Sequence, residues 1–223
     1  MPAGDPILDQ LPHTTRRWLA TNFELISVIV MSVTAIATAW SGFQSSQWSA
    51  IQATSYGDAA NDQTESVRAS NEARQATSID LAVFIAWLEA TTDGEDETAD
   101  FIYEGMPERL RIATDAWLAE DPFNNPDAPT SPFVMDVYVV PAAQIADELA
   151  QTAEEHTLTA QQATERANEY VLTTVLFATV LFFASISSKL KGVANRWAIL
   201  SIAIIGLVAG AMILLAFPRA PTT

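Results

Sequence analysis

The sequence predicts an all-α membrane protein: three transmembrane helices and an α-helical extracytoplasmic domain built as a long antiparallel alanine-rich stalk with a small helical cap. Three observations lead there. Three apolar runs are each long enough to cross a bilayer, which takes about 20 residues. Elsewhere, residues of one kind recur at alternating spacings of three and four, the period of packed helices. Charge is also segregated along the chain. The whole chain has a formal net charge of -16 with 49% hydrophobic and 17% charged residues. Of its 27 acidic residues, 24 lie between Gly42 and Glu169, against five arginines (Arg68, Arg74, Arg109, Arg111, Arg166) and no lysine. That segment therefore carries -19, and the rest of the chain +3. Such an insert excludes nucleic acid as a partner, because the phosphate term that drives binding would be repulsive. The chain has no cysteine, so disulfide and thiolate chemistry are excluded too.

In chain order, residues 1–22 form a cytoplasmic N-terminal segment and 23–43 the first span, "FELISVIVMSVTAIATAWSGF". The acidic helical domain covers 44–169. The second span is 170–187, "YVLTTVLFATVLFFASIS", and 188–196 is a basic cytoplasmic loop. The third span is 197–217, followed by an extracytoplasmic tail at 218–223. The only charge inside a span is Glu24, at the edge of the first. Short loops rich in Lys and Arg stay in the cytoplasm. Arg16 and Arg17 precede the first span, and Lys189, Lys191 and Arg196 fill the loop, so both groups share one side. Aromatic belts agree, with Trp18 and Trp197 inside and Trp40, Tyr170 and Phe217 outside. A rival reading makes "TTRRWLA" and "ATA" a twin-arginine signal peptide cut after small residues. Ala37 and Ala39 fit it; Glu24 and the long leading segment do not.

The periodicity also speaks against cleavage. One series runs Ser27, Met31, Thr34, Thr38, Ser41, Ser45, Trp48, Gln52, Ser55, Ala59, Asp62, Ser66, Ala69, Ala73, Ala76, nearly all small or polar. A bulky series, Ile26, Ile29, Val33, Ile36, Trp40, Phe43, lies on roughly the opposite side. The small seam passes Trp40 without changing phase, as one helix leaving the bilayer would. The return helix repeats the design through Ala142, Ala146, Leu149, Ala153, His156, Ala160, Ala163, Ala167 and Tyr170. Small residues let helix backbones approach closely.

Between these helices the sequence predicts an apolar helix over 78–90, an acidic turn over 91–100 and a short helix from Pro107 to Glu120. Leu81, Phe84, Leu88, Leu110 and Trp117 are expected to form the core of the cap. "DPFNNPDAPTSP" (121–132) has four prolines and reads as a turn or loop. "FVMDVYVV" (133–140) is the only plausible strand, too short and isolated to build a sheet.

Chemistry is sparse. His156 is the only histidine of the acidic insert, so no multi-histidine metal site forms there. It reads as a stalk histidine bonded to a neighbour, or as a pH-sensitive latch. No nucleophile elbow, His-Glu-x-x-His or phosphate-cradling loop is present, and no catalytic, cofactor or metal residue is assigned. The acidic runs 93–100 and 121–127 offer oxygen ligands for calcium, but neither has EF-hand spacing. Gly206 and Gly210 form a Gly-x-x-x-Gly packing motif. No buried ionisable residue suits a carboxylate-driven transporter. The stripe Ser27, Thr34, Thr38, Ser41, Ser45, Trp48 either packs a helix or, in a ring of subunits, lines a hydrated pore below an acidic vestibule.

"TAWSGFQSSQW", "DPFNNPDAPTSPF" and "NEYVLTTVLFATVLFFASIS" together resemble a group of bacterial three-span membrane proteins to which no activity is assigned. The resemblance runs from the first span to the third and implies a bacterial inner-membrane location, with no functional residue to carry over. The expected role is non-enzymatic: a scaffold or accessory subunit that meets the lipid bilayer and assembles with itself or another membrane protein through the small-residue helix seams. The alternative is a homo-oligomeric, cation-preferring channel.

Overall fold

The chain as a computed structural model describes residues 13–221, with side chains from Asn22 onward. Residues 1–12 and 222–223, and the side chains of Arg16, Arg17 and Trp18, lie outside the described residues. Within them the protein is all-helical: α1 (His13–Asp93), α2 (Asp96–Glu104), α3 (Glu108–Ala119), a 3-10 turn (Pro132–Val134), α4 (Pro141–Ser187) and α5 (Val193–Ala216). Three of these, α1, α4 and α5, are long and apolar enough to cross a membrane. The 81 residues of α1 contain no proline to interrupt its hydrogen bonds. It runs unbroken through Ala37, Ala39 and Trp40.

The chain divides into two compact units, Met1–Tyr56 with Leu158–Thr223, and Gly57–Thr157. The first holds parts of three helices. Ser27 Oγ lies 3.4 Å from Ser188 Oγ, and Ser45 Oγ donates to the Ala167 carbonyl at 3.2 Å, so α1 and α4 run antiparallel there. Along α1 every seam position from Ser27 to Ser55 is buried or half-buried, while Ile29, Val33, Ile36, Trp40 and Phe43 face outward. On α4 the inward stripe does not stop at Tyr170. It continues through Thr173, Phe177, Val180, Ala184 and Ser187, all buried.

α5 packs back on α4 through its two glycines. A Cβ on Gly206 would stand 2.9 Å from Val180 Cγ2, and one on Gly210 only 2.5 Å from Phe177 Cε1. Phe177 is fully buried, so its ring has nowhere to retreat. Gly192, at φ +94°, makes the left-handed step that starts α5. Because α5 begins at Val193, Arg196 belongs to its first turn rather than to the loop. Its guanidinium sits 4.1 Å over the Phe23 ring, which also meets Trp197 edge-on.

In the second unit the acidic stretch is mostly helix, not turn. α1 runs on to Asp93, Gly94 reverses the chain at φ +75°, and the Glu95 amide closes on the Ala90 carbonyl at 2.9 Å. This is a Schellman closure. Asp96 and Glu97 then open α2, where carboxylates favour the positive helix end. α3 matches the expected short helix. The core comprises Phe84, Trp87, Ala90, Ala99, Met106, Leu110 and Trp117, with Leu88 partly buried against it. Leu81 is not part of it: the side chain is half exposed. The expected strand 133–140 is also absent. Pro132 starts a 3-10 turn, the Tyr138 amide bonds back to the Met135 carbonyl, and no strand exists among the described residues to take a ladder. Phe133 and Met135 turn inward onto the aromatic cluster, while Val134, Val137 and Val139 stay exposed.

Glycine at 210 carries a specific prediction. Gly210→Val should lower the melting temperature of the detergent-purified protein, corresponding to about 1–3 kcal/mol of overpacking. Adding Phe177→Ala, which empties the space the new side chain needs, should recover part of that loss. A Gly210→Val protein that melts like the wild type would show that α5 does not approach α4 this closely.

Candidate functional site

Starting at the seam, the hydroxyls find partners close by. Thr34 Oγ1, fully buried, donates to the Val30 carbonyl at 2.6 Å, and Thr38 Oγ1 to the Thr34 carbonyl at 2.8 Å. Ser/Thr back-bonding of this kind satisfies a hydroxyl without a second molecule. Ser45 reaches α4 and Ser27 the residue just past its end, Ser188, while Ser41 Oγ and Trp48 Nε1 are buried without a hydrogen-bond partner. Gln44, one turn past Trp40, has a role that its seam-flanking position does not advertise. It is 3% exposed, and its Oε1 accepts the Ala220 amide at 3.0 Å. Tyr170, fully buried, donates its hydroxyl to the Pro218 carbonyl at 3.0 Å and meets the Phe217 ring edge-on. Residues 217–220 are thus strapped across α1 and α4.

In the second unit, Ser66 Oγ donates to the Ala146 carbonyl at 2.8 Å, and His156 Nε2 lies 3.6 Å from Asp62 Oδ2. The neighbour of the histidine is therefore an acid on α1, and the contact is an ion pair only when the imidazole is protonated.

The most tightly built polar group lies four residues beyond the last seam alanine, Ala76. Asp80 is fully buried and bidentate to Arg109, with Nε to Oδ2 at 2.6 Å and Nη2 to Oδ1 at 2.9 Å. The Tyr138 hydroxyl donates to Oδ2 at 2.8 Å. Three segments converge here: α1 brings the acid, α3 the guanidinium, and the 133–140 segment the phenol. The hydrogen bond to Asp80 raises the Arg109 pKa above its ordinary value; burial, then the same carboxylate, raises the Tyr138 phenol. Arg109 stays charged, Tyr138 stays neutral, and both carboxylate oxygens are occupied. This suits a structural lock, not acid–base chemistry. Beside it, Phe84 meets Trp117 and Phe133 edge-on, Phe133 meets Tyr138, and Trp117 Nε1 donates to the Pro129 carbonyl at 2.7 Å.

The acidic runs considered for calcium are arranged otherwise. Among the described residues no group of three acids or histidines is placed to hold a metal ion. Asn124 bonds Asp121, Asn125 bonds the Glu120 carbonyl, and the Asp127 amide bonds Asn125 Oδ1, so the loop spends its polar groups on its own turns. No family model matches this chain, and neither a curated protein nor a solved structure matches it.

The Asp80 lock predicts an asymmetry set by burial. Arg109→Met strands a fully buried carboxylate and should cost about 3–5 kcal/mol. Asp80→Asn leaves the partly exposed Arg109 free to turn to water and should cost less, about 1–3 kcal/mol. Urea unfolding of the full protein in detergent reads both; equal losses, or a larger loss for Asp80→Asn, would contradict the lock.

Proposed function

We propose that this chain is a non-enzymatic integral membrane protein serving as a scaffold or accessory subunit, assembling with itself or another membrane protein. On this reading it lies in a bacterial inner membrane, with its N-terminus inside and its acidic domain and C-terminus outside. The observation that carries the role is the closure of the small-residue seam against the chain's own helices, with the Thr34 and Thr38 hydroxyls bonded back to α1. A side chain satisfied in that way presents no polar group to an axis. With the seams occupied within the chain, assembly on this reading falls to the outward faces of the spans rather than to the seams. Those faces remain bulky and apolar, as contact with lipid or another span requires. The orientation rests on the basic residues Lys189, Lys191 and Arg196 between α4 and α5.

The channel alternative draws on the -19 charge of the 42–169 segment, which would concentrate cations at a pore mouth. Planar-bilayer recording of the purified protein separates the two. The scaffold reading expects no unitary conductance; cation-selective openings altered by Thr34→Leu and Thr38→Leu would replace it with the channel. Topology has its own test. Cysteines introduced at Asp96 and Gly192 should label with a membrane-impermeant maleimide from outside and inside respectively, and the reverse pattern would invert the orientation.

A further inference from the structure

We propose that a groove between α1 and α4 in the second unit binds a small zwitterion of the α-amino-acid type, its carboxylate on Arg74 and its ammonium on Asp147. The groove has a volume of about 570 Å³ and is lined by both residues, with Ser70 beside them and the alanines Ala73 and Ala146 as its floor. Arg74 stands among a large excess of carboxylates, and Arg109 and Arg166 have each taken one. Arg74 has not. Among the described residues neither Arg74 nor Asp147 forms an ion pair, although they border the same groove, and the Ser70 hydroxyl has no hydrogen-bond partner.

One unpaired cation on α1 and one unpaired anion on α4, lining the same groove with a hydroxyl and alanines, match a ligand bearing both charges. Alternatives fit less well. A lone anion would be attracted by Arg74 but repelled by Asp147 and by the -19 field of the segment. A lone cation gains from that field but meets the guanidinium. A divalent metal would find a single carboxylate where it needs several oxygen ligands. A zwitterion satisfies both groups at once, and guanidinium–carboxylate pairing supplies the directional part of the recognition. The alanine floor contributes apolar contact without filling the space. Buried Ala73 and Ala146 belong to the seam itself, so the groove exists because small residues close the helix pair and leave its flank hollow. This site stands independently of the assembly reading.

Calorimetric titration of the full-length protein in detergent tests it, using the neutral L-α-amino acids one at a time, with acetate and methylammonium as the two halves of the ligand. At least one amino acid should bind saturably at one per chain, and neither half should compete with it at equal concentration. Arg74→Gln and Asp147→Asn should each weaken binding by about tenfold or more. Both side chains are exposed, so neither change should alter the helical circular dichroism or the melting temperature. Absence of binding by every amino acid, binding indifferent to both substitutions, or acetate binding as tightly as the amino acid would each overturn the proposal.

Discussion

Two helix backbones can approach closely only where no side chain larger than alanine, serine or a well-turned threonine stands between them, and everything else in this protein accommodates that approach. Ala153, Ala160, Ala163 and Ala167 are buried along α4, as are Ser27, Thr34, Ser41 and Ser55 along α1. Contacts this close gain dispersion from many atoms of the backbone itself. They also leave a buried polar group in the seam few partners within reach, and Ser41 Oγ and Trp48 Nε1 have none. Ser45 and Ser66 find theirs by donating across to α4 carbonyls, Thr34 and Thr38 by donating along α1. Where α5 joins, the same rule appears in its extreme form as glycine against Phe177 and Val180.

Seam packing alone buries little apolar surface, and the second unit compensates with a different kind of contact. Its large side chains gather around Phe84, and its one fully buried acid, Asp80, is held by Arg109 and Tyr138. A buried ion pair adds little net stability, since desolvation offsets most of the attraction, but it admits few alternative geometries. Here it fixes α3 and the 133–140 segment to one turn of α1. The loop that looked like a strand is ordered by these side-chain contacts without any ladder.

Helix class, three helices long and apolar enough to span a membrane, and both seams were legible because period and charge are written residue by residue. All fifteen seam positions from Ser27 to Ala76 and all nine from Ala142 to Tyr170 are buried or half-buried. What escaped was long-range pairing. Asp80 continues the seam four residues past Ala76, an acid on an inward face that demands a cation, yet nothing local singles out Arg109 among the five arginines. Gln44 lies three residues past Ser41, and its partner is a backbone amide at position 220 that carries no side-chain signature. Phe177 was concealed because the stripe changes spacing at Tyr170, where two steps of three follow one another. The strand expectation failed for a related reason. A short run of valines and aromatics suits an extended segment, but Phe133 and Tyr138 pack edge-on and hold it as turns, with no strand among the described residues to pair with.

The two units share one inner alphabet and differ on their outer faces. In the first, the residues opposite the α1 seam are Ile29, Val33 and Ile36; in the second, positions facing away from the seam include Asp58, Glu65 and Glu72. Close packing through alanine and back-bonded hydroxyls works in either solvent, because it depends on neither hydrophobic expulsion nor solvated charge. The outer stripe decides the solvent, since isoleucine and valine suit lipid whereas unpaired carboxylates do not. The stretch "AWSGFQSSQWSA" marks where the outer alphabet changes while the inner one continues. Trp40 and Phe43 are its last bulky outward residues, Ser41 and Ser45 keep the seam in phase, and Gln44 receives the chain returning from α5. A helix can therefore change environment in mid-course without a break, provided the change is confined to the face that its partner never touches.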